Sequence, residues 1–461
     1  MPLIIPANTL SGGYEIDNSV RFNQSDHCLT KTFGSAGDRK KWTFSVWFKR
    51  SNLITSAALF VAGSSGQAEG TIRLENHKIN WQEYDGSSMD GELLTNQVLR
   101  DVTAWYHMVC VWDSANATAG NRMRIYLNGS EITSFATDNN PTLNFDSQMN
   151  NNVLHNVGRQ SWNNASDFDG YMADVNFIDG EAYDSSYFGE TNDNGVWIPK
   201  KYDGSYGDNG FFLECQQTGT GTDASGIGAD TSGETNHWAI NNLAATDITT
   251  DTPTNNFATL NSITSATNDL SEGNTVSDLD NGTTNTSTTQ FSANGKWYAE
   301  FKVTDLAGSN SNIRIGVVSA EQNAVDLGGP NETYAFLGDG RKYVEGSASS
   351  YGSALNVNDI VMVALDTDNN KVWYGANGTW FASGDPSSNS NESHAIDSGP
   401  SFGFAIASGT SSASPEIQCN FGNPPFSISS GNSDDNGFGN FEYDVPTGFY
   451  SLCTKNLAEY G

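Results

Sequence analysis

A strand–turn–strand pattern that occurs twice is the feature that most constrains how this chain can fold. Each copy has an apolar run ending in an acid, a polar loop, a second β-rich run and an Asn-Gly pair. The copies are Tyr106–Asp113, Arg124–Leu127 and Asn128-Gly129 in the first half, and Ile360–Leu365 with Asp366, Lys371–Tyr374 and Asn377-Gly378 in the second. An Asn-Gly pair between such runs is a strong hairpin signal, because both residues tolerate positive φ. Two copies predict two β-sandwiches of related design, whose loops bind a partner.

Composition sets the class of protein and of partner. At 461 residues the chain is long enough for two or three domains that each bury a core. Asp and Glu outnumber Lys and Arg by 54 to 22, which gives a formal net charge of −32. Recognition of a phosphate backbone depends on clustered basic side chains, so this balance argues against a nucleic-acid partner. Gly-, Asn- and Ser-rich turns between short aromatic and β-branched runs favour an all-β protein.

Neither a secretory signal nor a transmembrane segment is predicted. Residues 1–10 lack a basic start, and Pro2 and Pro6 interrupt their apolar run. No other apolar run is long enough to cross a bilayer, so we expect no membrane insertion. The five cysteines are far apart and show no CxxC spacing, which favours reduced thiols over a disulfide framework or a zinc site. A Cys419–Cys453 bridge stays open as an alternative.

Changes in composition divide the chain into five predicted segments. They are an extended arm at 1–12, a first sandwich at 13–215, a Gly/Thr/Asn-rich connector at 216–260, a second sandwich at 261–455 and a tail at 456–461. The first part of the connector is typical of a flexible linker, and its second part is apolar enough to pack on the domain junction. The best helix candidate, Glu92–Thr103, lacks a cap, so no long helix is expected.

Particular stretches of both sandwiches carry a family resemblance. In residues 13–214 they include GYEIDNSVRFN, GDRKKWTFSVWFKR, NRMRIYLNGSEITSF and FDGYMADVNFIDGEAYDSSYFGE, and in the second sandwich GKWYAEFKV, NIRIGVV, DIVMVALDTDNNKVWYGANGTW and VPTGFYSLCTKNLAEYG. The first set resembles the laminin G-like sandwiches of tail and structural proteins of marine bacteriophages. The second set resembles a SPRY domain. The resemblance implies an all-β chain of two tandem concanavalin A-like antiparallel β-sandwiches of jelly-roll type.

The same resemblance implies a non-enzymatic structural protein of a phage virion, assembled in the host cytoplasm. The leading hypothesis is a tail-fibre or appendage component that engages a host-surface glycan or receptor through sandwich loops. The alternative is a capsid decoration or head-fibre protein that stabilises the shell without host recognition, because this fold hosts many functions. Tail, portal-proximal or capsid proteins would be its partners, and a homo-oligomer is expected. Leu3, Ile4 and Ile5 in the arm are the candidates for anchoring to the virion.

A glucan hydrolase is the third hypothesis, because concanavalin A-type folds include glucanases. Such enzymes need two carboxyl groups on one strand face. The nearest motif, Glu15-Ile16-Asp17-Asn18-Ser19, has Ser19 in place of the second Glu. The six histidines are scattered, none lies beside a Gly-x-Ser-x-Gly elbow, and His107 within a strand is expected to be structural. Hydrolysis is therefore disfavoured.

Glycan recognition needs an aromatic platform for the apolar face of a sugar and planar polar groups for its hydroxyls. Residues of these types near strand ends are the candidates for such a site. They are Trp81, Tyr84, Asp85, Trp162, Asn163 and Asn164 in the first sandwich, and Asp339, Tyr343 and Trp380 in the second. A single tryptophan in this set is as readily explained by cover of a sheet edge.

Calcium is the cofactor candidate, because laminin G-like sandwiches hold this ion at one rim through Asp carboxylates and backbone carbonyls. Asp167 and Asp169 in NASDFDGY are the principal candidates as ligands. Asp85 and Asp90 in EYDGSSMDGE could also supply hard oxygen atoms. No calcium-loop consensus accompanies either pair, so the sequence predicts calcium from residue type alone.

Overall fold

The computed structural model describes residues 13–23, 26–63, 68–160, 166–263, 269–279, 286–322, 326–329, 332–409 and 413–461. They form two compact units, one ending at Thr254 and the other beginning at Asn255. Strands make up nearly all of the regular structure, and one short α-helix, α1 at Thr454–Tyr460, lies near the last residue. The all-β prediction is confirmed. Leu3, Ile4 and Ile5 of the expected arm lie outside the described residues.

The first unit has two large antiparallel sheets and a two-stranded ribbon. Its strands are β1 Ser19–Phe22, β2 Cys28–Thr32, β3 Lys41–Arg50, β4 Ser56–Gly63, β5 Glu69–Glu75, β6 Lys78–Tyr84, β7 Met89–Thr95, β8 Trp105–Asp113, β9 Met123–Leu127, β10 Ser130–Glu131, β11 Phe135–Asn139, β12 Leu154–Val157, β13 Gly170–Asp179, β14 Gly189–Thr191, β15 Trp197–Pro199, β16 Phe211–Leu213, β17 Ala239–Asn241 and β18 Ile248–Thr249. One sheet has the order β10-β9-β8-β3-β13-β1-β18, with β16 paired to β13. The other has the order β11-β7-β6-β5-β4-β12-β2-β17, and β14 pairs with β15.

Alternation along β3 shows why these sheets pack face to face. Trp42, Phe44, Val46 and Phe48 point to the same side of the strand and are fully buried. Phe44 stacks on Phe60 of the opposite sheet at 4.7 Å between ring centroids. Burying side chains of this size stabilises a fold by about 1.5–3 kcal/mol each, so one strand supplies a large part of the core.

Residues 216–254 belong to the first sandwich, which corrects the prediction of a connector at 216–260. β17 pairs with β2 and β18 pairs with β1, so this segment adds an edge strand to each large sheet. Ile227, Trp238 and Leu243 are buried in the core of the unit. The apolar residues of the second part predicted packing, but the sequence placed that packing at the domain junction, whereas the structure places it in the core of the first sandwich.

The second unit is also a two-layer antiparallel sandwich. Its strands are β19 Asp269–Ser271, β20 Val276–Asp278, β21 Thr286–Ser287, β22 Lys296–Asp305, β23 Ile313–Ser319, β24 Thr333–Leu337, β25 Arg341–Val344, β26 Ser347–Ser350, β27 Ile360–Asp366, β28 Lys371–Ala376, β29 Thr379–Trp380, β30 His394–Ala395, β31 Phe402–Ser408, β32 Glu416–Asn420 and β33 Tyr450–Ser451. One sheet runs β19-β20-β32-β22-β27-β28-β29, with β30 beside β28 and β33 beside β22. The other runs β21-β31-β23-β24-β25-β26. β33 is the exception to antiparallel pairing, because it runs parallel to β22.

The end of the second unit is folded, where the sequence predicts a tail at 456–461. Leu457 of α1 is buried against the core. Asn456 is buried as well, and its Nδ2 donates to Asp434 Oδ2 at 2.8 Å. The same carboxylate oxygen accepts from the backbone N–H and the hydroxyl of Ser451 at 2.9 and 2.7 Å. Asp434 therefore ties α1 and β33 to the preceding loop.

The remaining differences from the sequence predictions are few. The expectation of no long helix is confirmed. The best helix candidate, Glu92–Thr103, has its first four residues in β7, where cross-strand pairing with β6 outweighs local propensity. All five cysteines are buried free thiols, so the Cys419–Cys453 bridge does not form. Across the described ranges, no helix has both the length and the apolar character needed to span a bilayer. Short 3₁₀ turns complete the structure at Ala119–Asn121, Ser185–Tyr187, Ala245–Asp247, Asn310–Asn312, Ala320–Gln322 and Phe381–Ser383.

Candidate functional site

The Asn128-Gly129 turn positions the candidate site of the first unit. Asn128 and Gly129 have φ values of 46° and 83°, the left-handed pair that a two-residue hairpin requires. The backbone N–H of Asn128 donates to the His107 carbonyl at 2.8 Å, and its side-chain Oδ1 accepts from the His107 N–H at 2.8 Å. A Cβ atom on Gly129 would lie 2.4 Å from the Trp197 ring, so only glycine fits. Two hydrogen bonds to His107 and the packing of the Trp197 ring therefore fix the turn.

The second copy of the motif has the same frame. Asn377 and Gly378 have φ values of 50° and 78°. The backbone N–H of Asn377 donates to the Ile360 carbonyl, and its Oδ1 accepts from the Ile360 N–H, both at 2.9 Å. Here the amide Nδ2 also donates to Asp359 Oδ1 at 2.7 Å. In both turns the Asn bonds the backbone of a strand residue. The turns differ in the partner of the side-chain amide Nδ2.

An open cleft of about 630 Å³ lies beside the first turn, and we call it the rim cleft. Its volume is within the range of small-ligand sites. It forms where the segment after β7 meets the β9–β10 hairpin and the residues that follow β10. Its lining residues are Asn96, Gln97, Leu127, Asn128, Ser130, Glu131, Ile132, Thr133 and Ser134.

The chemistry of the rim cleft is that of hydrogen bonding. Leu127 and Ile132 are buried beneath it, and the other lining side chains are exposed amides, hydroxyls and one carboxylate, that of Glu131. The two loops are joined by the Asn96 N–H, which donates to the Ser134 carbonyl at 3.1 Å, and by their side chains at 3.0 Å. No His, Cys, Lys or Arg lines the cleft. A polar ligand can be held here, but a pair of carboxyl groups for glycoside hydrolysis is not present in it.

The sequence identified the turn that borders this cleft but not the cleft itself. Its walls come from segments about 35 residues apart, so no local pattern joins them. One signal was available in the repeat. In each copy, the backbone of one strand residue bonds the turn asparagine. The residue just before it is Asp359 in the second copy and Tyr106 in the first. The first copy therefore lacks the acid that occupies the Asn amide in the second.

His107 lies behind the turn and is structural, as predicted. The Trp197 Nε1–H donates to its Nδ1 at 3.0 Å, so the ring proton is on Nε2, which lies 2.9 Å from Ser45 Oγ. Burial lowers the pKa of His107 to about 3, which keeps the imidazole neutral. A Ser-His contact that is buried and has a tryptophan in place of an acid does not form a catalytic triad.

The buried carboxyl groups also act as structural anchors. Burial raises the pKa of Glu83, Asp174 and Glu300 to about 7 in each case. Glu83 accepts from the Ser147 hydroxyl at 2.7 Å within the core, and Glu300 accepts from the Tyr298 hydroxyl at 3.0 Å. These hydrogen bonds fasten neighbouring segments and leave the groups inaccessible to a polymeric substrate.

The hydrolase-like motif does not lie on a sheet face. β1 begins at Ser19, after the motif's acids, and Glu15 and Asp17 are exposed in the extended segment before it. Ile16 between them is buried, and its backbone bonds the Thr254 hydroxyl. The two acids thus flank an anchor point of the chain. Their placement gives no support to a glucanase site.

The structure corrects one glycan-binding candidate and leaves others with local partners. Trp81 is fully buried between Trp42 and Trp112, at 5.3 and 5.9 Å between ring centroids, so it cannot present a face to a sugar. Alternation along β6 places it on the core face with Ile79. The Asp85 carboxylate is exposed but caps its own turn, accepting from the N–H groups of the next residues. Tyr84 is half-buried, and the candidates Trp162, Asn163 and Asn164 lie outside the described residues.

The candidates in the second unit lie on two sheets. Asp339 is held by a fork of hydrogen bonds from Arg341 in the turn between β24 and β25. Tyr343 on β25 packs under the Arg314 guanidinium at 4.9 Å. Trp380 on β29, in the other sheet, packs edge-on against Tyr298 at 6.4 Å. These three side chains are thus engaged in local contacts on two different sheets.

The calcium candidates have partners that a cation site would not need. The Arg159 guanidinium lies 3.5 Å from the Asp167 carboxylate, so a positive charge is already supplied. Asp169 accepts a hydrogen bond from the Asn52 amide. Among the residues with described positions, no group of three or more His, Cys, Asp or Glu side chains could hold a metal ion. Calcium binding by Asp167 and Asp169 therefore stays a prediction.

Comparison with known families concerns the first unit. Residues 22–186 match the model of a laminin G family that is described as the concanavalin A-like lectin/glucanases superfamily. This span contains β2 to β13, which includes the rim cleft. None of the curated proteins matches the chain.

Solved structures give likeness at low identity. The LG4-5 domains of the mouse laminin alpha1 chain are 8% identical, with a TM-score of 0.30 over 95% of this chain and 96% of that one. A putative carbohydrate binding protein from Bacteroides ovatus is 13% identical, with a TM-score of 0.32 over 51% and 60%. The SPRY domain of human HERC1 is 12% identical, with a TM-score of 0.26 over 32% and 87%. These scores support no functional argument. Together with the sheet order, the family match places a laminin G-like, concanavalin A-like sandwich in the first unit.

Proposed function

We propose that this chain is a non-enzymatic structural protein of a bacteriophage virion, a tail-fibre or appendage component that engages a host-surface glycan. The rim cleft is the observation that carries the glycan-binding part, because its amide, hydroxyl and carboxylate groups suit the hydroxyls of a sugar. The virion part rests on the resemblance of the first sandwich to tail and structural proteins of bacteriophages. Loops on a rigid sandwich are a usual place for binding residues.

The absence of catalysis is part of the proposal. The rim cleft has one carboxylate, and hydrolysis of a glycosidic bond uses two. Glu83 and Glu300, two carboxyl groups with a raised pKa, are fully buried, where a polysaccharide cannot reach them. A binding protein needs neither an acid nor a base at the site.

Weak binding at one cleft suits a repeated component of a particle. An open polar cleft excludes little water, so we expect a single site to bind weakly. A homo-oligomer present in several copies would multiply that affinity through effective concentration, without any new contact. Other virion proteins would supply the attachment that fixes these copies in place.

Retention of the purified chain on host-surface polysaccharide tests the proposal. We expect retention without release of reducing ends, and competition by free protein with adsorption of the phage that carries it. Release of reducing ends would show an enzyme. Retention on capsids with no effect on adsorption would instead favour a capsid decoration protein.

A further inference from the structure

The two Asn-Gly turns differ in one group that faces solvent. In both, the side-chain Oδ1 is committed to a strand N–H, which fixes the orientation of the amide. In the second unit the remaining Nδ2 group is taken up by Asp359 at 2.7 Å. In the first unit Asn128 is exposed, and the described residues offer its Nδ2 no acceptor. The rim cleft therefore has a hydrogen-bond donor of fixed direction at its border.

The donor is rigid because the turn is held by packing as well as by hydrogen bonds. Trp197 lies against Gly129 and stacks near His107 at 5.9 Å between ring centroids. The N–H of His107 is the group that holds the Asn128 side chain. A donor that is already ordered loses less entropy on binding than a mobile side chain does. The geometry thus suits a ligand acceptor at this position.

Charge sets the class of ligand. Glu131 is the charged residue of the rim cleft, and no lysine or arginine lines it. The chain as a whole has a net charge of −32. A carboxylated or sulfated glycan would meet this field with no cation in the lining of the cleft to offset it, whereas a sugar hydroxyl can donate to Glu131 and accept from Asn128.

We propose that the rim cleft binds a neutral, hydroxyl-rich saccharide unit, with Asn128 Nδ2 donating to a sugar oxygen and Glu131 accepting from a sugar hydroxyl. This inference rests on the proposed function and narrows its ligand to neutral glycans. It assigns the discrimination against acidic glycans to the lack of a cation in the cleft. Asn128 then has two roles, one in the turn and one toward the ligand.

The substitution Asn128→Asp separates the two roles. Aspartate tolerates positive φ and keeps an oxygen for the His107 N–H, but it replaces the amide donor of this lining residue with an acceptor. The matched control is Asn144→Asp, which makes the same charge change at an exposed asparagine with φ of 61° outside the cleft. Asn128→Gly is the second variant, since glycine keeps the turn and removes the side chain.

Binding of the full chain is measured by biolayer interferometry on an immobilised neutral β-glucan, a neutral mannan, an alginate and a chondroitin sulfate. We expect binding to at least one neutral probe, with at least tenfold loss in Asn128→Asp and Asn128→Gly, which is about 1.4 kcal/mol. Asn144→Asp should bind as the unchanged chain does. Thermal unfolding of each variant identifies any that fails to fold.

The outcomes distinguish this inference from the proposed function. Unchanged affinity in folded Asn128→Asp or Asn128→Gly, while the parent chain binds a neutral probe, overturns the inference and leaves glycan binding intact. Preference for alginate or chondroitin sulfate overturns it too. If no probe and no host polysaccharide retains the chain, the proposed function fails and this inference fails with it.

Discussion

Removal of one carboxylate should show that the segment after β16 is part of the first sandwich. Asp251 follows β18, and its Oδ2 lies 2.7 Å from Lys49 Nζ on β3. The two side chains are 0% and 2% exposed. The Trp105 Nε1–H also donates to Asp251 Oδ1, at 3.2 Å. Asp251→Ala leaves the ammonium of Lys49 buried without its counter-charge, and breaking such a pair costs about 3–5 kcal/mol.

Urea unfolding of the full chain, followed by tryptophan fluorescence, measures this loss. Lys201→Met is the matched control, because Lys201 and Glu214 form a 3.0 Å pair whose lysine side chain is 54% exposed. An exposed pair contributes at most about 1 kcal/mol, so the control should change little. If Asp251→Ala costs no more than the control, the segment is a removable connector and the assignment of residues 216–254 is wrong.

Two further predictions concern titration and packing. Burial lowers the pKa of His155 to about 4, so this imidazole is neutral in the fold. Protonation therefore favours the unfolded chain as pH falls from about 6.5 toward 4. Between pH 7.5 and 5, the free energy of unfolding, measured with urea, should fall by about 2 kcal/mol less in His155→Leu than in the parent. An equal loss in both proteins would contradict this. The opposite trend of Glu83, whose raised pKa stabilises the fold as pH falls below about 7, is common to both proteins and cancels. The new methyl group of Gly129→Ala would clash with the Trp197 ring, whereas Gly180, with φ of 89°, has open space where its Cβ would lie. We expect Gly129→Ala to lose about 1–3 kcal/mol more folding stability than Gly180→Ala in thermal unfolding. Equal losses would rule out the packing argument.

The repeated pattern located its strands correctly. The runs predicted at Tyr106–Asp113 and Ile360–Leu365 lie within β8 and β27, because β-branched and aromatic residues on one face specify both a strand and its buried side. The same rule places Trp81 with Ile79 on the core face of β6. The prediction that Trp81 binds a sugar is wrong because it relied on residue type, whereas alternation along the strand decides which face of the sheet the side chain lies on.

Features made by distant segments were beyond a local reading. The rim cleft depends on the contact of Asn96 with Ser134, and the local sequence of neither segment predicts this contact. The edge strands β17 and β18 are three and two residues long, too short for a pattern, and are defined by the strands they meet. Asn128 could be read from sequence as a turn residue. The second role proposed for Asn128 depends on a difference between two folded copies of one motif, which a single sequence segment does not contain.

The pairing of β18 with β1 means that the chain leaves the first sandwich beside the strand on which it entered. A domain whose two ends are neighbours can be cut out or exchanged as one piece without opening either sheet. The boundary for such an exchange lies between Thr254 and Asn255. A fragment that stops near residue 215 would discard two edge strands and the buried Trp238, and would expose apolar surface that the intact piece covers.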